Sequence, residues 1–186
     1  MLNQTYRKQV ELLLAVIPEV AKQECFALHG GTAINLFVRN MPRLSVDIDL
    51  TYLPIEDRPT TLENIGSALS HIKNNIEAVM PGAEVEHKQE ISKLLVTSDG
   101  VSIKVEVNRV GRGVLESPQK SSLCSHAQET FDAFCEIAVV SKGQLYGGKI
   151  CAALDRQHPR DLFDVKYLLD KEGFTEEIKT GFLLSL

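Results

Sequence analysis

Residues 29–50 read HGGTAINLFVRNMPRLSVDIDL, and the reading of this stretch decides the fold. Its second half alternates Val46, Ile48 and Leu50 against Ser45, Asp47, Asp49 and Thr51, the period-two pattern of a strand with one polar face, expected over 44–53. Asp47 and Asp49 stand at i and i+2, so both carboxylates leave the same face, with Cα atoms about 6.6 Å apart. Two carboxylates that close together in an apolar strand raise each other's pKa unless a cation joins them. Mg²⁺ suits such hard oxygen donors, because it keeps waters and phosphate oxygens in the rest of its shell. Upstream, Cys25–Leu28 is a short apolar run that stops at Gly30-Gly31, and Thr32–Arg39 can follow as a short helix. A glycine pair at a strand–helix junction lets a phosphate approach the free N–H groups of the helix, where the Thr32 hydroxyl can cap the helix or hold a phosphate oxygen. A plain turn explains the glycines alone and a solvated strand edge explains the aspartates alone; the two about fifteen residues apart form a sharper pattern.

Outward from this stretch the chain reads as an α/β unit. Val10, Leu13, Leu14 and Ile17 recur at helical spacing, predicting a helix over 4–22, and 62–79 predicts a long helix ended by Pro81-Gly82. Runs at 83–89, 92–97 and 101–108 are strand-like, and Ser98-Asp99-Gly100 is a hairpin turn for the last two. Residues 111–130 read as loop with one short strand, 136–140 as a strand, and 145–156 and 159–171 as helices broken at His158-Pro159. With no repeat or linker, the expectation is one α/β (α+β) domain over 1–186: a mixed sheet flanked by helices, with a helical C-terminal part from about residue 141. The final FLLSL run is apolar and uncapped; it reads either as the cut end of a longer chain or as a surface that meets a partner.

The 186 residues are 44% hydrophobic and 24% charged, which excludes disordered and collagen-like classes. Lys+Arg 20 against Asp+Glu 25 gives −5, which argues against a broad basic face for duplex DNA. No segment reads as a signal peptide or membrane span. Cys25, Cys124, Cys135 and Cys151 lack close pairing and read as buried thiols in a reducing compartment, so the expected location is the cytoplasm. Trp is absent and aromatics are 6%, so no base-stacking platform is evident; the basic 108–113 segment reads as solvated loop or as a contact to an RNA backbone or a triphosphate.

A third carboxylate, Glu106, alternates with Val105 and Val107 and shares a face with Lys104 and Asn108. Two readings are open at even weight. If its strand neighbours that of Asp47, Glu106 completes a site for two cations; otherwise it pairs with a lysine on an exposed face.

The pattern GGTAINLF…RLSVDIDL resembles the nucleotidyltransferase signature of polymerase-β-like enzymes. With Arg43, Ser45 and the DIDL core it is similar to the AbiEii/AbiGii toxin family. A second block, 148–156 GKICAALDR followed by 159–165 PRDLFDV, resembles that family's lysine- and RDLYDL-containing region. The resemblance implies a nucleotidyltransferase fold and transfer of an NMP from an NTP to an acceptor hydroxyl. It implies Gly30, Gly31 and Thr32 as the phosphate-holding turn with Arg43 and Ser45 beside it, Asp47 and Asp49 as metal ligands, Lys149 on nucleotide phosphates and Asp161 as a catalytic acid residue. It further implies two Mg²⁺ ions, a cognate antitoxin as partner and, as in some relatives, a tRNA acceptor. Placed after Gly147-Gly148, Lys149 is expected on the first turns of a helix, free to swing toward a triphosphate. For Asp161, helix capping or surface pairing with Arg156 and Arg160 is the competing reading. Two other functions stay open: an inactive nucleotide- or partner-binding module, and a small-molecule nucleotidyltransferase of the antibiotic-modifying kind.

Overall fold

The computed structural model describes residues 4–186. Seven strands form one mixed sheet: β1 (Phe26–His29), β2 (Asp47–Tyr52), β3 (Glu84–Lys88), β4 (Lys93–Ser98), β5 (Val101–Arg112), β6 (Gln119–Ser122) and β7 (Glu136–Val139), in the order β3-β4-β5-β2-β1-β7-β6. β2–β5 and β1–β7 are parallel pairs and the others antiparallel. The alternation along β2 and β5 is realised as read: Ile48, Leu50, Val105 and Val107 are buried, while Asp47, Asp49 and Glu106 on the other face keep partial exposure.

Two helices cover the sheet on its apolar side. α1 (Gln4–Ala21) buries Val10, Leu13, Leu14 and Ile17 and packs on β5 and β7. α3 (Arg58–Val79) buries Ile65, Leu69, Ile72 and Ile76 at helical spacing and packs on β3 and β4. It starts four residues before the expected position because Asp57 caps it, accepting from Thr60 N at 3.1 Å, with a proline in the first turn. Among the described residues no helix is long and apolar enough to cross a membrane.

The junction after β1 is a helical turn, α2 (Gly30–Thr32), continued by a π-helical segment, Ala33–Val38. Residues 44–46, expected in the strand, lie outside it, since pairing of β2 with β5 begins at Asp47 opposite Lys104. β5 runs on to Arg112 past an irregularity, so 108–112 is strand where loop was a reading. Residues 111–130 hold not only the expected short strand, β6, but also α4 (Ser125–Phe131), whose first turn is tied to Asn40 through His126 N at 2.9 Å. The four cysteines are free thiols, but of them Cys135 alone is buried, its thiol pushed up to about 11 by burial, while Cys25, Cys124 and Cys151 keep partial exposure.

The C-terminal helices are α5 (Lys142–Arg156), α6 (Pro159–Lys171) and α7 (Glu176–Ser185). α5 is capped by Ser141, whose hydroxyl accepts from Gln144 N, so it starts three residues before the expected Leu145 and carries Gly147-Gly148 in its interior. The glycines serve packing: a Cβ on Gly147 would lie 2.2 Å from the backbone of Gly181, and one on Gly181 would lie 1.9 Å from Gly143 O. α5 and α7 thus cross backbone to backbone. Leu183, Leu184 and Leu186 of the FLLSL run are exposed, while Phe182 is half-buried and meets Phe174 edge-on.

Gly147→Val is expected to force α5 and α7 apart and lower the melting temperature by about 4–10 °C, corresponding to about 1–3 kcal/mol of overpacking. Gly66→Ala in α3, where a Cβ meets nothing within 4 Å, is expected to leave it unchanged or raise it slightly. Thermal unfolding followed by circular dichroism checks both.

Candidate active site

The aspartates of β2 and the glycine turn of α2 are in contact. Gly30 has φ +72°, a left-handed conformation that favours glycine, and a Cβ there would lie 2.2 Å from Asp49 Oδ2. Asp49 is opposite His29 in the β1 pairing, which fixes the carboxylate against the turn. A Cβ on Gly31 would meet Arg43 Nη2 at 3.0 Å and Ser45 Oγ at 3.1 Å, so the turn lies directly against both side chains. Thr32 does not offer its hydroxyl to a phosphate: the residue is fully buried and Oγ1 donates to Asp47 O at 2.5 Å. Its role is to tie the turn to the start of β2.

Opposite this face stand α5 and α6, joined by buried charge. Lys149 Nζ lies 2.8 Å from Asp161 Oδ1 and 3.6 Å from Asp164 Oδ2, and all three residues are buried. Arg156 Nε donates to Asp161 Oδ2 at 2.7 Å. Arg43 grips Asp164 with both Nε, at 2.8 Å from Oδ1, and Nη2, at 2.5 Å from Oδ2. Asn35 donates to Asp164 Oδ1 at 3.1 Å and to Gly31 O at 2.9 Å, linking the lattice back to the glycine turn. Lys149 is therefore held in mid-helix rather than free on a first turn. Asp161 is not the cap of α6, since His158 Nδ1 accepts from Arg160 N at 3.2 Å; the expected pairing with Arg156 is realised, but from a buried carboxylate that Lys149 shares. Burial pushes the Asp161 carboxyl up, but the hydrogen bonds from Arg156 and Lys149 outweigh it and hold it below its ordinary value.

Glu106 neighbours the aspartates, because β5 lies beside β2 with Glu106 opposite Asp49. Its carboxylate, however, is ion-paired to Lys93 of β4, which faces it in the hairpin register. Both open readings are thus realised in part: the strand is adjacent, and a neighbouring lysine holds the side chain. Among the described residues no three His, Cys, Asp or Glu side chains gather as a metal-binding set. Asp47 and Asp49 make no ion pair there, and they are the hard oxygen donors that fit a divalent cation.

Two adjoining clefts open on this face. One, of about 200 Å³, is lined by Gly31, Ser45, Asp47 and Asp49 with Arg43, Lys149, Arg156 and Arg160. The other, of about 520 Å³, is lined by Asp49, Lys93, Glu106, Asn108, Lys149 and Arg156 among others. Burial raises the Asp49 carboxyl to about 6, aided by the charges of Asp47 and Glu106 and opposed by Lys149 and Arg156. His29 is driven down to about 4 by burial, with the charge of Lys149 adding to it, and its Nε2 lies 3.5 Å from Gln144 O. It is a neutral packing residue at pH 7.

Sequence reasoning missed Lys93, Asp164 as the Arg43 partner, and Asn35. Lys93 had a signal: counted back from the Ser98–Val101 turn, it falls opposite Glu106. The link from Asp164 to Arg43 and Asn35 had none, because it joins distant parts of the chain. The raised Asp49 pKa has a consequence for stability. The folded chain binds this proton more tightly than the unfolded one, so stability falls as pH rises from about 4 to about 6, by up to about 3 kcal/mol. Asp49→Asn in chelator is expected to melt higher than the parent chain at pH 7.5 and equally at pH 4, measured by thermal unfolding across that range.

Comparisons with known proteins bear on the fold and the family. Among curated proteins no sequence matches. The fold is similar to that of MenT4, the nucleotidyltransferase toxin Rv2826c from Mycobacterium tuberculosis H37Rv, with TM-score 0.71 and 14% identity over 96% of this chain and 64% of that one. The present chain thus spans less than two thirds of that protein. It is also similar to the antibiotic-resistance factor ANT(2″)-Ia, with TM-score 0.55 and 14% identity over 95% of this chain and 90% of that one. The same factor in complex with adenylyl-2″-tobramycin gives TM-score 0.54 and 15% identity over 96% and 97%. Residues 11–185, nearly the whole chain, match the family of the nucleotidyl transferase AbiEii toxin of type IV toxin–antitoxin systems, and the chain belongs to that family.

Proposed function

We propose that this chain transfers an NMP from an NTP to an acceptor hydroxyl as the toxin of a type IV toxin–antitoxin pair, with RNA of tRNA size as the acceptor and Mg²⁺ as the cofactor. The observation that carries this reading is the unpaired Asp47–Asp49 carboxylates, set against the Gly30 turn in a cleft whose far wall is cationic. Asp47 and Asp49 would hold the ion, which supplies charge neutralisation to the phosphates and lowers the pKa of an acceptor hydroxyl.

The chain's own groups do the rest. Gly31 and Ser45 line the small cleft and Gly30 the adjoining one, where phosphate oxygens would approach the backbone closely. Lys149, Arg156 and Arg160 line the opposite wall and Arg43 lies beside the turn; together they supply positive charge where the β- and γ-phosphates and then the departing pyrophosphate would lie. Asp161 acts through others: kept ionised by its two cationic partners, it fixes Lys149 and Arg156 over the cleft and is a positioning residue. The acceptor hydroxyl attacks the α-phosphorus, a new P–O bond forms, the bond to pyrophosphate breaks, and the hydroxyl proton leaves to solvent at the open mouth.

A second acceptor class, an aminoglycoside-like hydroxyl, is favoured by the match over nearly the full length of ANT(2″)-Ia. Incubation with each labelled NTP, Mg²⁺, and either total RNA or aminoglycosides separates the two. Label on tRNA-sized RNA is the expected product, and label on the antibiotic alone would assign the other acceptor. Asp47→Asn and Asp49→Asn are each expected to lower transfer by at least about 10²-fold while leaving the chain folded. Undiminished transfer by the folded double variant would contradict the reading.

A further inference from the structure

Glu106 lies in the middle of three adjacent strands. Across β2–β5 it faces Asp49, and across β4–β5 it faces Lys93. Of these two neighbours it engages Lys93, in an ion pair whose lysine is 23% and glutamate 37% exposed. Lys93 and Glu106 line the same cleft as Asp49 and Lys149.

We propose that Lys93 is a built-in cation that takes the place of a second metal ion at Glu106, so that the chain without nucleotide holds one divalent ion, on Asp47 and Asp49. This rests on the reading of Asp47 and Asp49 as the metal pair. The charges of the site support it. Asp161 is matched by Lys149 and Arg156, Asp164 by Arg43, and Glu106 by Lys93, each within ion-pair distance. Asp47 and Asp49 are left without an ion pair among the described residues, and two negative charges match one divalent cation. Lys93 is also fixed in place. Its strand is paired on both sides, to β3 and β5, and Val107 N donates to Ser92 O at 3.1 Å just before it. A second ion at Glu106 would have to displace this ammonium or bind beside a like charge, and both weaken it.

The test counts ions rather than turnover: Mn²⁺ titration of the full chain without nucleotide, read by electron paramagnetic resonance. The expected result is one tightly bound ion in the parent chain and two in Lys93→Met, the second at least about tenfold tighter than any second ion in the parent, a factor equal to about 1.4 kcal/mol. Lys104→Met removes the same charge from the same face, opposite Asp47, without touching Glu106, and is expected to stay at one. Lys93→Met/Glu106→Gln is expected to return to one. Lys93→Gln replaces the methionine variant if that one shows no cooperative melting. Two equally tight ions in the parent, or one ion in folded Lys93→Met, would overturn the proposal and leave the Asp47–Asp49 site standing. No ion in either would overturn that site as well.

Discussion

The charge lattice in which Arg43, Lys149 and the exposed Arg156 hold the buried carboxylates of Asp161 and Asp164 is the constraint on which the site depends. Burying an ionised group away from water costs several kcal/mol unless it is paired and hydrogen-bonded. Here each carboxylate meets that condition with two partners or with a two-pronged guanidinium. The lattice spans the segment before β2 and the two helices α5 and α6, so removing Arg43 or Lys149 leaves a buried carboxylate short of a partner. Its geometric result is that cations form the wall facing Asp47 and Asp49.

The opposite side is set by backbone. The parallel pairing of β2 with β5, the antiparallel hairpin of β4 with β5 and the pairing of His29 with Asp49 fix which side chains stand together. Gly30 brings the turn so near the Asp49 carboxylate that no side chain fits between them. One face therefore concentrates carboxylates that make no ion pair among the described residues, beside cations of which Arg43, Lys149 and Arg156 are paired to Asp161 and Asp164. The elevated Asp49 pKa is the stability cost of that arrangement in the absence of a cation, as is common where a site is shaped for binding rather than for rigidity.

Much of this was legible along the chain, for identifiable reasons. Period-two alternation located β2, strand-like runs and the Ser98-Asp99-Gly100 turn located the β4–β5 hairpin, helical spacing located α1, and the proline breaks at 81 and 159 bounded α3 and α6. The carboxylate pair and the glycine turn were visible because their geometry is local. What failed depended on contacts between remote segments. The helix expected from Leu145 starts at Lys142, and Gly147 inside it lets α7 cross at backbone distance. That displacement moved Lys149 from a mobile first turn to a buried pair. Thr32 read as a phosphate ligand, but the chain returns Asp47 O to its hydroxyl. α4 escaped because its seven residues are polar and its anchor, Asn40, is far away in sequence.

The central claim is that Asp47 and Asp49 jointly take a divalent ion beside the glycine turn, with the nucleotide phosphates between that turn and the Lys149–Arg156 wall. Anomalous diffraction from crystals grown with Mn²⁺ and a non-hydrolysable NTP analogue tests it most directly. The account predicts an anomalous peak within about 2.0–2.3 Å of an oxygen of each aspartate and phosphate density against Gly30 and Gly31. A peak that touches neither carboxylate, or a triphosphate seated elsewhere on the chain, would contradict it.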